Sequence, residues 1–217
     1  MEPYLLLTKE GEGYYEEKRS RFLASACAVK TEEEVQTILA ARRKAHPEAR
    51  HHCYACVCGP RNELTRFSDD GEPSGTGGRP ILDALLGSGL HDTLVVVTRY
   101  FGGTLLGTGG LSRAYSAAAA DALSHAGSGT LYAGALWEIV IGYGDYARLD
   151  RLLLKEDVPR ESETFLDKVT VRVCLLPAQE ETFAAALADL TAGTARLDKV
   201  RDMTYIRSGD KIFLQND

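Results

Sequence analysis

Two glycine-rich segments of the chain carry residue types that suit the binding of an anion. The sequences SDDGEPSGTGGRP (68–80) and RYFGGTLLGTGG (99–110) each lie between a predicted strand and a predicted helix, and both contain Gly-Thr-Gly-Gly. Glycine leaves the backbone accessible, and the first N–H groups of a helix have no partner within the helix. The positive end of the helix dipole adds to the attraction for anions. We therefore predict that both segments bind phosphate groups.

Basic and hydroxyl side chains flank these segments and would strengthen phosphate binding. Arg113 lies in the predicted helix after the second segment, and Arg19 belongs to a basic cluster around Ser20. Neither segment matches the phosphate-loop or dinucleotide fingerprints, and tight turns for close helix–sheet packing are the alternative. The predicted anion-binding or nucleic-acid-binding residues are Lys18, Ser20, Arg21, Asp70, Glu72, Gly75, Thr76, Gly77, Gly78, Arg79, Arg99, Gly102, Gly103, Thr104, Gly107, Thr108, Gly109 and Gly110.

Three carboxylates, Asp69, Asp70 and Glu72, lie within the first segment. A Mg²⁺ ion held by Asp70 and Glu72 would bridge to a bound phosphate. Asx turns, or ion pairs with the nearby arginines, are the alternatives. No other cofactor is predicted. No Ser-His-Asp set and no G-x-S-x-G motif occurs, so no residue is assigned a catalytic role.

The run HHCYACVCG (51–59) contains zinc-binding residue types, but its predicted strand argues against a zinc site. Successive side chains of a strand point to opposite faces, so Cys53 points away from Cys56 and Cys58. Buried, small apolar thiols are the favoured interpretation. A nucleophilic pair of His52 and Cys53 is an alternative, although adjacent strand residues diverge.

Composition limits the classes of function. The 217 residues have 44% hydrophobic and 26% charged content, which is typical of a globular protein. The formal net charge of −6 disfavours coating of duplex DNA but allows RNA contact through a local basic patch. No signal peptide or long apolar run is evident, so we expect a cytoplasmic protein without a membrane partner and with reduced cysteines.

Periodicity divides the chain into two α+β domains, predicted at residues 1–133 and 134–217. In the first, strands at 21–29, 51–59, 63–68 and 92–100 alternate with helices. Thr31 and Glu34 form a capping box, and Pro80 is expected at the first position of its helix. In the second domain the order is β-α-β-β-α-β, the ferredoxin-like pattern. The boundary is placed in the small-residue segment 127–135.

Several ordered motifs resemble the IMPACT/YigZ family: KRSRFLASACAV, HHCYACVCG, TRFSDDGEPSGTGGRPIL and VVVTRYFGGTLLGTGGLSRAYSAAA. The resemblance covers most of residues 15–125, and the β-α-β-β-α-β tail is similar to that of the bacterial members. It implies a first domain with a left-handed βαβ fold, like domain IV of elongation factor G and the GHMP kinases. The second domain is implied to be like the C-terminal domain of elongation factor G.

The resemblance implies a translation-associated regulatory protein, and RNA or the ribosome is the expected partner. Phosphate contacts from the two glycine-rich segments would carry that binding. An enzyme acting on a nucleotide or a phosphorylated metabolite in the same pocket is an alternative. A protein–protein adaptor in translational control is another. The sequence does not determine the oligomeric state.

Overall fold

The structure is a computed structural model that describes residues 2–209 and 211–214. Its contacts divide the chain into two units: Tyr4–Gly129, and a second unit that combines residues 2–3 with the chain from Thr130 onward. The first unit contains β1 (Tyr4–Leu7), β2 (Gly11–Glu17), β3 (Ser20–Ala28), α1 (Glu32–Ala45), β4 (His51–Cys58), β5 (Leu64–Ser68), α2 (Gly78–Ser88), β6 (Thr93–Tyr100) and α3 (Gly107–Ala126). Then follow β7 (Ser128–Ile141), α4 (Tyr143–Lys155), β8 (Arg160–Phe165), β9 (Val169–Leu175), α5 (Glu180–Thr191), β10 (Arg196–Ser208) and β11 (Lys211–Leu214).

The first sheet has the strand order β2-β3-β6-β4-β5, with every neighbouring pair antiparallel. Its central strand, β6, is covered on both faces, as its unbroken apolar run predicts. Val95 and Val97 pack with α2 and α3 on one face, whereas Leu94 and Val96 pack with α1 on the other. The predicted mixed α/β architecture is confirmed. The left-handed crossover and the likeness to elongation factor G stay predictions.

Strand β2 was not predicted, because its sequence GEGYYEE is polar. Its glycines allow a close approach to α3: a Cβ atom on Gly11 or Gly13 would lie 2.2 or 2.3 Å from the backbone of Ala122. The alanine-rich face of α3 and the two glycines therefore bring the backbones of strand and helix into direct contact.

Helix α1 begins as its capping signal predicts. The Thr31 hydroxyl accepts a hydrogen bond from the Glu34 N–H at 3.2 Å, although the Glu34 carboxylate accepts from Lys30 N rather than from the cap residue. In α2 the expectation for Pro80 was wrong: the helix begins at Gly78, so Pro80 is its third residue. The earlier start has a physical cause, because a carboxylate binds the N–H groups of Gly77 and Gly78.

The second unit confirms the predicted β-α-β-β-α-β order. Its sheet places β10, β7, β9 and β8 side by side, all antiparallel, with β11 added beside β10. The division between the two units, at Gly129 and Thr130, lies within the small-residue segment predicted to contain the boundary, and β7 continues across it without a break. No helix in residues 2–209 and 211–214 is long and apolar enough to cross a membrane.

Candidate functional site

The first glycine-rich segment, 68–80, binds an anion that the protein itself supplies. The Asp69 carboxylate accepts hydrogen bonds from the N–H groups of Gly75, Gly77 and Gly78 at 2.8, 2.9 and 2.8 Å. Burial raises the pKa of Asp69, but the hydrogen bonds from the three N–H groups together lower it by more. The net shift of the pKa is therefore downward. The N–H groups predicted to bind phosphate are therefore already bound to a carboxylate.

Several other polar residues of this segment are also bound within the protein. Asp70 accepts from Arg43 Nη2 and from the His52 N–H, both at 2.6 Å. The Thr76 hydroxyl donates to the Pro73 carbonyl at 2.6 Å. Arg79 pairs with Asp83 at 2.8 Å along the surface of α2. The first segment thus forms a self-satisfied turn instead of the open phosphate site that its composition suggested.

Glu72 and Arg99 connect the two glycine-rich segments through a buried ion pair. Arg99 Nη1 donates to Glu72 Oε1 at 2.6 Å, and only 6% and 3% of the two side chains are exposed. The hydroxyl of fully buried Tyr115 donates to the same carboxylate oxygen at 2.8 Å. Arg99 Nε is buried without a hydrogen-bond partner in the described part of the chain. Glu72 therefore holds Arg99 in place at the start of the second segment.

The ion pairs of Asp70 and Glu72 disfavour the Mg²⁺ site predicted at these two residues. Each carboxylate is already neutralised by an arginine, which competes with a cation for the same oxygens. Residues 2–209 and 211–214 contain no group of three or more His, Cys, Asp or Glu side chains arranged to hold a metal ion.

The cysteines of β4 lie as the strand period predicts. Cys53 belongs to the core on the α2 and α3 face, and Cys56 and Cys58 belong to the core on the α1 face. Burial raises the pKa of Cys53 to about 12, and its thiol donates to the Asp69 carbonyl. Burial also lowers the pKa of His52. The Cys53 thiol is thus bound to a backbone carbonyl and the His52 ring to the Thr98 hydroxyl at 3.1 Å, so the hydrogen bonds of these two side chains give no support to the alternative of a nucleophilic pair.

The second glycine-rich segment, 99–110, has a different local structure. Its Gly-Thr-Gly-Gly sequence was predicted to be part of a loop. In the structure it forms the first turn of α3, which begins at Gly107. Within the described residues no side chain caps this helix, and its first turn contains no acidic residue. Gly103, Thr104, Gly107, Thr108 and Gly109 are exposed. The positive end of the helix dipole therefore faces solvent, and no carboxylate in the described residues binds its N–H groups.

A basic hairpin turn lies directly against this segment. Strands β2 and β3 pair from Glu17 and Ser20, which leaves Lys18 and Arg19 as a two-residue turn. Both turn residues have positive φ, 47° and 68°, where asparagine and glycine are favoured. A Cβ atom on Gly102 would lie 2.2 Å from the backbone of Arg19, and the Gly102 N–H donates to the Ser20 hydroxyl at 3.0 Å. The turn thus displays two cations beside the second segment, in a backbone conformation that disfavours them.

Two further arginines complete what we call the basic loop surface: Lys18, Arg19, Arg21, Arg113 and the exposed residues of 101–109. The Arg21 guanidinium lies 5.0 Å from the centre of the Tyr100 ring, and Arg113 is exposed in α3. These four cations make no ion pair with any carboxylate in the described residues. Two acids flank the turn: Glu16 lies opposite Arg21 and accepts from the Tyr14 hydroxyl at 2.6 Å, and Glu17 lies opposite Ser20 and accepts from the Tyr15 hydroxyl at 3.5 Å.

Sequence reasoning missed two residues of this region. Tyr115 supplies a hydrogen bond to Glu72, and its position as the one aromatic residue in the alanine-rich helix is the signal that would have found it. Phe101 has an exposed side chain within the second segment, and an aromatic residue among glycines was the corresponding signal.

The fold and the site define a two-unit α+β protein with a basic surface on its first unit. Two family models match it: the Impact N-terminal domain over residues 18–123, and a domain of unknown function, DUF1949, over residues 139–194. The basic loop surface lies within the first match.

Relatives extend the match to nearly the whole chain. The IMPACT family member YvyE of Bacillus subtilis is 35% identical, covering 94% of this chain and 93% of the relative. The IMPACT family member YigZ of Escherichia coli is also 35% identical, covering 91% and 98%. A solved structure titled as that of a hypothetical protein has a TM-score of 0.60 and 34% identity, covering 93% of this chain and 98% of its own. The chain belongs to the IMPACT family, which supports a role related to translational regulation in general terms.

Proposed function

We propose that this protein binds RNA, free or within the ribosome, through phosphate contacts of the basic loop surface. The observation that carries the proposal is a set of four exposed cations, without ion-pair partners in the described residues, that lie against the second glycine-rich segment or in the second turn of α3. The proposal narrows the prediction made from the sequence, since the first glycine-rich segment is filled by Asp69.

The distribution of charge supports a local contact over general electrostatic attraction. The chain is acidic, with a formal net charge of −6, so its attraction for a polyanion must come from a patch where cations outnumber acids. The strained turn supports the same proposal, because Lys18 and Arg19 occupy φ values that cost about 1 kcal/mol or more per residue. Backbone strain of this kind clusters at functional sites.

An enzyme acting on a nucleotide is less well supported by the same geometry. The carboxylates that such an enzyme would use, Asp70 and Glu72, are paired with Arg43 and Arg99. The glycines exposed in the second segment face solvent beside cations, which suits a polymer that lies across a surface.

The test replaces the basic turn by the residues that its backbone prefers, Lys18→Asn with Arg19→Gly. Binding of a fluorescein-labelled, single-stranded RNA is measured by anisotropy at increasing KCl. With four phosphate contacts, the wild-type logarithmic salt slope should be about −3. The double variant should weaken binding and make the slope shallower by about 1.4. It should also raise the free energy of unfolding by about 1 kcal/mol, because Asn-Gly is favoured in this turn.

The matched control removes two exposed cations at the opposite end of the same sheet, Lys30→Gln with Arg61→Gln. It changes the net charge equally and should leave the salt slope unchanged. Absence of RNA binding by the wild-type protein at low salt, where phosphate contacts are strongest, would overturn the proposal.

A further inference from the structure

Phe101 has an exposed aromatic ring, and the buried guanidinium of Arg99 lies against the inner face of that ring. It is 55% exposed, and the Arg99 guanidinium lies 5.7 Å from its ring centre. The same guanidinium lies 5.5 Å from the ring of fully buried Phe22, and Glu72 holds it through the 2.6 Å ion pair. Cation–π attraction of this kind fixes the inner side of the Phe101 ring. The outer side is left to solvent.

The surroundings of Phe101 match the chemistry of a single-stranded nucleic acid. The basic turn contacts Gly102, the residue that follows the ring, and Arg21 lies on Tyr100, the residue that precedes it. Single-strand binding surfaces combine cations that follow the phosphates with aromatic rings on which bases stack. A paired duplex already stacks its bases internally and offers no free base face. Charge complementarity and an available ring face therefore select a single strand as the form of the proposed RNA that binds here.

We propose that Phe101 is a stacking platform for one nucleobase of a single-stranded RNA whose phosphates contact the basic loop surface. This inference rests on the proposed function and specifies the form of RNA that the surface binds. Arg99 is a positioning residue in this arrangement: it carries charge under the ring and is itself held by Glu72.

The test compares two probes of similar charge, a short oligouridylate and inorganic polyphosphate, which lacks bases. Three variants are used: Phe101→Leu, Phe101→Tyr and the control Phe67→Leu. Phe67 is another exposed phenylalanine of the same unit, 46% exposed on strand β5. Loss of one base stack should weaken oligouridylate binding by Phe101→Leu about 5-fold or more and leave polyphosphate binding unchanged. Phe101→Tyr should retain wild-type affinity, and Phe67→Leu should change neither probe.

The outcomes separate this inference from the proposed function. If the wild-type protein binds both probes and Phe101→Leu binds oligouridylate equally well, the platform is refuted and the phosphate contacts stand. If Phe101→Leu weakens both probes equally, the ring acts only through the shape of the loop, and the platform is also refuted. If the wild-type protein binds neither probe at low salt, the proposed function itself fails.

Discussion

The two glycine-rich segments share Gly-Thr-Gly-Gly and the same place between a strand and a helix, yet they differ in what binds their backbone N–H groups. In the first segment the N–H groups of Gly75, Gly77 and Gly78 bind the Asp69 carboxylate. In the second, no side-chain cap for helix α3 occurs in the described residues, and Gly107, Thr108 and Gly109 of its first turn are exposed to solvent. A glycine-rich segment of this kind therefore indicates an affinity for an anion. That anion can be a carboxylate of the protein itself, as Asp69 is in the first segment.

The first segment nevertheless contributes to the second. Glu72, within the first, binds Arg99 at the start of the second and accepts from Tyr115 of α3. Asp69 holds the turn that carries Glu72, so the filled segment acts as a support for the open one.

The largest expected effect comes from removing that connection. Glu72→Ala should lower the free energy of unfolding by about 3–5 kcal/mol, because it leaves the buried Arg99 guanidinium unpaired. Urea unfolding at neutral pH measures this loss. The control is Asp83→Ala, which breaks the exposed Arg79–Asp83 pair and should cost less than about 1 kcal/mol. Equal losses in the two variants would show that the buried pair does not connect the segments energetically.

A second prediction converts the filled segment into an open one. Asp69→Ala should lower the free energy of unfolding by about 2 kcal/mol, as loss of a strong helix cap does. Formate, a small carboxylate, should then bind the vacated N–H groups and restore about 1.4 kcal/mol at ten times its Kd. Thermal unfolding in sodium formate and in sodium chloride of equal ionic strength measures the rescue. The wild-type protein should unfold at the same temperature in both salts. If Asp69→Ala also unfolds at the same temperature in both salts, Asp69 is not the group that binds these N–H groups.

A smaller effect follows from the lowered pKa of Asp69. Its folded pKa lies below the unfolded value of about 3.9, so its ionised form stabilises the fold above that pH. The contribution is lost as pH falls through the folded pKa. The difference in stability between the wild type and Asp69→Asn should therefore shrink as pH falls below about 4, in urea unfolding series from neutral to acid pH. A difference that stays constant over this range would mean that the charge of Asp69 is not what the N–H groups bind.

Much of the fold was predictable because its signals are local. The Thr31 cap of α1, the apolar run of β6 and the strand–helix order of the second unit all follow from neighbouring residues. Strand β2 was not predictable in this way, because its glycines are explained only by the backbone of α3, far along the chain.

The candidate site was predictable in its residue types but not in its pairings. Asp69 stands in the sequence as one of three nearby acids, but spacing alone does not show which N–H groups a carboxylate reaches. The partners of Glu72 are still more distant, since Arg99 and Tyr115 lie 27 and 43 residues away. The aromatic residue among glycines at Phe101 is visible in the sequence, but the exposed fraction of its side chain depends on the packing of the whole unit.

The most direct test of the central claim uses one arginine from the start of each helix. Arg79 lies in the first turn of α2 and Arg113 in the second turn of α3, and both are exposed. Binding of single-stranded RNA is titrated against KCl for Arg79→Ala and Arg113→Ala. If only the second segment binds phosphate, Arg113→Ala weakens binding and makes the salt slope shallower by about 0.7, while Arg79→Ala matches the wild type. An equal loss in Arg79→Ala, or none in Arg113→Ala, would contradict the account.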